Sequence, residues 1–307
     1  IEIGFAHQSF KWTNNAKGNA GVTVIVVGLR NVSSKPKTLF KDSIAKQVKN
    51  INAYLLEGSD IYINPANSSI SKFPPMNFGN MPADGGFLLF TEKEKRDFIE
   101  TEPHADKWIK ELITAHEFLN GKKRYCLWLE GVETDEINKV PFVKERVDAI
   151  CKLRLQSSRP QLAEVPHLFA QITQPANSDF ILIPRHSSED RDYIPIGFFS
   201  KDYKAGDSTL IVATSEPWLF GVLHSKMHMV WVDAVGGKLE TRYRYSAKLC
   251  YNTFPFPTIN ERQKETITQY VFYILDERAK YSEKTMAWMY NPETMPSGLE
   301  EAHHALD

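Results

Sequence analysis

Three residues spaced by two, Glu240, Arg242 and Arg244, carry the most directed chemistry in this sequence. They sit in KLETRYRYSAK (238–248), where four basic residues and one acidic residue stand among tyrosines, although the 307-residue chain has a formal net charge of only −1. An arginine donates two hydrogen bonds to the major-groove edge of guanine, and a glutamate accepts one from the amino group of cytosine. A Glu and an Arg two positions apart can therefore read the two halves of one C·G pair. The same alternation also fits a solvated strand edge. Lys238 and Lys248 flank the run, Tyr243 lies within it, and all three suit contacts to a nucleic-acid backbone.

A second group stands in PRHSSEDRDY, where Arg185, Ser187, Ser188, Glu189 and Arg191 fall between two expected strands. Arginine and serine in a loop suit phosphate contacts, which fix register without reading sequence. A local network of Glu189 with the arginines fits equally well. Lys122, Lys123 and Arg124 form a small basic cluster that reads as solvated surface. His224 and His228 have the i, i+4 spacing of many zinc ligands, but the accompanying glutamate is missing and Met227 and Met229 beside them mark an apolar face, so they read as core histidines. His303 and His304 are adjacent and cannot face one metal from a helix. Phe10 and Trp12 precede an apolar strand and fit either a core pair or a stacking platform.

The elements that must carry these residues show a mixture of periods. Residues 22–29 (VTVIVVGL) form a β-branched run expected as a strand covered on both faces. Residues 64–86 are rich in Pro, Gly and Asn and read as a linker or binding loop. Helices are predicted over Thr91–Ile99, Pro103–Leu119, Lys139–Gln156 and Pro217–Val235, with Val230 among the core candidates of the last. Asn260–Tyr281 is predicted as a helix whose Asn260 and Gln263 form a capping box, with an apolar stripe through Ile267, Val271, Ile274 and Leu275. Short strands are expected over Phe180–Pro184, Tyr193–Phe199 and Thr209–Thr214. The fold class is mixed α+β.

Composition sets the frame: 42 % hydrophobic and 24 % charged residues are globular values, and no apolar run approaches a membrane span. Cys126, Cys151 and Cys250 are few and widely spaced, which points to a reducing, cytoplasmic setting with no disulfide framework and no zinc site. A pI near 6.8 requires any nucleic-acid contact to be a local basic patch. The chain opens on Ile1 without an initiator Met, and we read it as part of a longer polypeptide. It has no glycine-rich cofactor turn and no Asn-Pro-Pro-aromatic loop, Asn64-Pro65-Ala66 being the nearest match, so methyl transfer by this chain alone is not expected.

Several blocks, in order along the chain, carry a resemblance: FAHQSFKWTNNAKGNAGVTVIVVGL (5–29), FGNMPADGGFLL (78–89), RYCLWL (124–129), QLAEVPHLF (161–169), FILIPRHSSEDRDYIPIGF (180–198) and YNPETMPSGLEEAHHALD (290–307). Together with SKMHMVWVDAVGGKL before the arginine run and YNTFPFP after it, they resemble the C-terminal part of MmeI-like type IIL restriction-modification enzymes. In these, one polypeptide holds a nuclease, an N6-adenine DNA methyltransferase and a specificity domain. The resemblance implies a methyltransferase remnant and connector over 1–65, a DNA target-recognition domain over 66–257 and a helical segment over 258–307. It implies double-stranded DNA as partner, the missing N-terminal methyltransferase portion as a second partner, no membrane, and S-adenosylmethionine as cofactor of the parent only. Phe10 and Trp12 then neighbour the flipped adenine. Family members carry Glu/Arg or Lys/Asp at the positions of Glu240 and Arg242, and the exchange goes with the orientation of the preferred C·G pair; the Glu/Arg form implies cytosine in the methylated strand. Arg244 would add a base or phosphate contact, and Arg185, Ser188, Arg191, Lys238, Tyr243 and Lys248 would lie along the DNA backbone. A non-enzymatic protein- or ligand-binding module is the competing reading, separable by salt dependence.

Overall fold

The register of the first strand shows how this chain arranges its N-terminal side chains. A computed structural model describes residues 1–12, 22–41, 44–239 and 242–307. Glu2–Trp12 pairs antiparallel with Val22–Arg30 and parallel with Lys37–Lys41, which in turn pairs with Ile44–Val48. His7 lies opposite Val26 but Phe10 lies opposite Val24, so one extra residue is taken up between them. Such a bulge reverses the pleat. Residues opposite each other share a face, so Phe5, His7, Phe10 and Trp12, partnered by Gly28, Val26, Val24 and Val22, all project to one side.

The other side is sealed by a small core of Ala6, Leu39, Val48, Ile51 and Leu55, and the Gln8 amide donates to the Leu55 carbonyl at 2.8 Å. The expectation that 22–29 is covered on both faces is corrected here. Val22–Arg30 is an edge strand, and Ile25 and Leu29 are 54 % and 68 % exposed. The small core draws on the other three strands through Ala6, Leu39 and Val48 and does not include Ile25 or Leu29.

Two compact units partition the chain. One comprises Ile1–Ser71, His186–Glu189 and Val230–Pro255; the other comprises Lys72–Arg185, Asp190–Met229 and Phe256–Asp307. The second unit holds two four-stranded sheets, ordered Gly197–Phe199, Phe180–Pro184, Thr209–Val212, Met76–Phe78, and Lys204–Ala205, Ile109–Ile113, Arg124–Leu127, Leu89–Thr91. Phe180–Pro184 is buried at every position, as its continuous apolar run requires. The fold class is α+β, as expected from the sequence.

Helix starts follow local chemistry. Thr91 and Glu94 make a reciprocal capping box at Glu92–Thr101, and Asn260 and Gln263 do the same at Glu261–Ala279. Val271 and Ile274 of the latter helix are fully buried. Gly221 allows this packing, since a β-carbon there would stand 2.5 Å from Ile267 Cγ2.

Two predicted helices are broken. Pro103–Leu119 is a 3-10 turn (Pro103–Trp108), a strand (Ile109–Ile113) and a short helix (Ala115–Asn120). Ile109 pairs with Leu127 and Leu112 with Lys204, so sheet partners override a helical spacing of apolar residues, and Thr114 starts a new helix by accepting the His116 amide. Pro217–Val235 splits into Pro217–Leu223 and Lys226–Val235, because the Ser225 hydroxyl accepts the His228 amide and begins the second helix. Val230, expected in the core, is exposed. The predicted strand Tyr193–Phe199 shortens to Gly197–Phe199.

Candidate nucleic-acid interface

Arg242–Arg244 is the central strand of a three-stranded sheet, between His186–Ser187 and Gly237–Leu239. Arg244 lies opposite both His186 and Gly237, Tyr243 lies opposite Ser187 and Lys238, and Arg242 lies opposite Leu239. With a period of two, Arg242 and Arg244 share a face and Tyr243 takes the other. Both arginines are exposed, Tyr243 is half-buried and Ser187 is buried. Gly237 places no side chain beside Arg244. The arrangement puts both arginines on the exposed face of a strand whose other face carries half-buried Tyr243.

The loop 185–191 therefore does more than join two strands: it supplies the outer strand of this sheet through His186 and Ser187. Ser188 and Arg191 follow, both half-buried, and burial holds Arg191 below the usual guanidinium value. Arg185, in the other compact unit, donates from Nη1 to the Asp207 carbonyl at 3.0 Å and lies 4.8 Å over the Phe78 ring. Lys248 is exposed on the wide helical turn Ala247–Tyr251, and its carbonyl accepts the Ala66 amide at 3.0 Å. Asn252 donates to the Ala66 carbonyl at 2.8 Å and accepts the Ile70 amide through its own carbonyl. The irregular stretch after Asn64 is thus strapped to the segment that follows the arginine strand.

Glu240 lies outside the described residues, as does the Lys238 side chain; the Lys238 backbone pairs with Tyr243. Tyr245 is buried, which pushes its hydroxyl well above the usual value.

Phe10 and Trp12 are 37 % and 51 % exposed, against the core-pair reading. Two rings that sequence reasoning missed stand with them: His7 stacks on Phe40 at 4.2 Å between centroids and 7° between planes, and His7 meets Phe10 edge-on at 6.2 Å. A strict two-residue alternation separates His7 from Phe10, so only the bulge reveals the grouping.

The remaining sequence candidates have structural places. His224 and His228 are buried, each 1 % exposed, as core histidines. His303 is buried and stacked on Tyr193, and its Nε2 meets the Tyr290 hydroxyl at 2.8 Å. Lys122 and Lys123 are exposed, and Arg124 pairs with Glu117 at 3.1 Å. Among the described residues no group of three His, Cys, Asp or Glu side chains is arranged to hold a metal ion, and no helix is long and apolar enough to cross a membrane.

Residues 57–258, which include the whole arginine sheet, match the family described as the MmeI target recognition domain. The chain belongs to this family. Residues 1–41 match the MmeI DNA-methyltransferase domain and residues 259–307 the MmeI C-terminal domain. DNA methyltransferase A of Bacillus subtilis (strain 168) is 42 % identical over the whole of this chain, which spans 35 % of that relative. The solved structure of the type IIL restriction-modification enzyme MmeI in complex with DNA superposes over the whole chain with a TM-score of 0.92 and 41 % identity, and 42 % of that protein is covered.

Proposed function

We propose that this MmeI-family chain is the DNA-reading part of a bacterial N6-adenine methyltransferase of a restriction-modification system. The observation that carries this reading is the placement of Arg242 and Arg244 side by side on the exposed face of a central strand. Arg242, with Glu240 preceding it, reads one C·G pair, and Arg244 contacts a neighbouring base or phosphate. Ser188, Arg191, Lys238 and Lys248 line the backbone, as does Arg185, whose guanidinium is preset by Asp207 and Phe78. Tyr243, expected there from the sequence, is half-buried on the face away from the arginines and anchors their strand. Phe10 and Trp12 receive the extruded adenine. The division of labour follows 1–65, 66–257 and 258–307.

S-adenosylmethionine is the methyl donor of the parent and is held outside this chain. Asn64-Pro65-Ala66 cannot stand in for the amine-binding loop: it lacks the second proline and the aromatic residue, and Ala66 is tied by both backbone groups to Lys248 and Asn252. The chain's own residues supply orientation, by fixing the duplex relative to the methyl donor.

Fluorescence anisotropy of the chain with a labelled duplex, at about 50 and about 200 mM salt, tests this reading. The four cationic backbone contacts, Arg185, Arg191, Lys238 and Lys248, give a log–log slope near −3.6 and roughly a 150-fold loss of affinity across that range. Affinity indifferent to salt would point instead to a protein- or sugar-binding module.

A further inference from the structure

One face of the N-terminal sheet carries five rings with little reason to be there as core. Phe5, His7, Phe10 and Trp12 project together because of the bulge, and Phe40 joins them from the neighbouring strand, where it lies opposite His7. The core of this sheet, Ala6 through Leu55, lies on the opposite face. The rings touch in sequence: Phe5 meets Phe40 edge-on at 6.5 Å, Phe40 stacks on His7, His7 meets the edge of Phe10, and Phe10 is 6.5 Å from Trp12. Exposure is lowest in the middle of the row, at half-buried His7 and Phe40, while Phe5, Phe10 and Trp12 are 42 %, 37 % and 51 % exposed. The stacked His7–Phe40 pair is therefore the fixed part of the row, and Phe10 and Trp12 are open.

We propose that this row is a nucleobase platform in which His7, clamped by Phe40, is the positioning residue that holds Phe10 for stacking against the extruded base. The inference rests on the DNA-methyltransferase reading above and extends it by two residues. The occupant follows from chemistry. A planar, polarisable ring stacks on aromatic faces irrespective of sequence, and residues 1–41 match a DNA-methyltransferase domain. An extruded base must find such a surface to offset the stacking it loses. His7 supplies what a free Phe10 lacks: a ring parallel to Phe40 fixes the imidazole plane, and the imidazole edge then limits the tilt of Phe10.

The test uses the full-length parent polypeptide and its target duplex, unmodified for methyl transfer and with 2-aminopurine at the target adenine for fluorescence. His7→Ala should lower kcat roughly tenfold while the KM for DNA moves by less than about twofold, since the arginine sheet is untouched. It should also raise the 2-aminopurine emission of the complex by removing the stacking quench. His7→Phe, which keeps a ring on Phe40, should restore both signals, and Phe40→Leu should repeat the His7→Ala pattern more weakly. The proposal is overturned if His7→Ala leaves kcat and emission unchanged, if His7→Phe gives no rescue, or if the substitutions lower thermal stability alone. A wild-type complex with the emission of free duplex would sink the underlying reading and the proposal with it.

Discussion

The ring of Phe5 lies across the backbone of Gly28, its partner on the neighbouring strand. A β-carbon at position 28 would stand 2.0 Å from Phe5 Cε1, so the absence of a side chain there makes room for the Phe5 ring. Gly28→Ala should destabilise the protein by about 1–3 kcal/mol, the usual cost of overpacking, seen as a lower urea midpoint with an unchanged slope. In a Phe5→Ala background the same change should cost less than half as much. Equal costs in both backgrounds would show that the ring moves aside freely.

Base reading by Glu240 and Arg242 predicts a reversal, not a loss. Glu240→Lys with Arg242→Asp, in the parent enzyme, should exchange the preferred orientation of one C·G pair, because Lys donates to guanine while Asp accepts from the opposite cytosine. A mismatched pair costs about 1–3 kcal/mol, so sequencing of methylated sites should show roughly tenfold discrimination at one position. Either single change should perform worse than the double, as it leaves one polar group facing the wrong edge. Unchanged specificity with reduced activity would make the pair structural.

Arg154 organises the loops around Pro82 and Leu162. It is 1 % exposed and donates to the carbonyls of Pro82, Ala83, Leu162, Val165 and Leu168 at 2.8–3.2 Å. Arg154→Met keeps the length but strands five acceptors, and should cost at least about 3 kcal/mol in urea unfolding. The amides of Gly86 and Leu88, held by Asp84 in the same loop, should exchange faster. A loss below about 1 kcal/mol would mean that water replaces the guanidinium.

Stability should fall on mild acidification. Burial, with His303 and Arg278 alongside, holds His224 well below its usual value; burial and then Arg278 do the same to His303, and burial alone brings His228 down to about 3. A base depressed in the folded state binds fewer protons there than when unfolded, so its stabilising contribution is complete above about pH 6.5 and is lost as pH falls below it. Each histidine contributes a slope of about 1.4 kcal/mol per pH unit. The carboxyl of Glu2, drawn down to about 2 by Arg30 and Lys37, acts only at lower pH, from the usual carboxylate range downward. Urea unfolding between pH 6.5 and 5 should therefore show the histidine slope alone, to which His167, also lowered by burial, adds. His303→Gln should remove one histidine's share of it, about 1.4 kcal/mol per pH unit at most. A flat profile across that window would show that the cluster takes up protons while folded.

What the sequence determined by itself is local or covalent. The start at Asn260 was legible because a capping box needs only a residue and its neighbour three positions on, and the run Phe180–Pro184 because a buried strand must be apolar throughout. The arginines were legible as candidates because their chemistry does not depend on where they lie. Pairing partners were not legible. Nothing near Ile109 announces Leu127 or Lys204, nothing near Arg244 announces His186, and the bulge that unites His7 with Phe10 shows only against Val24 and Val26. Tertiary structure decided these because backbone hydrogen bonds in a sheet are satisfied by distant residues, and a one-residue shift in register moves every later side chain to the opposite face.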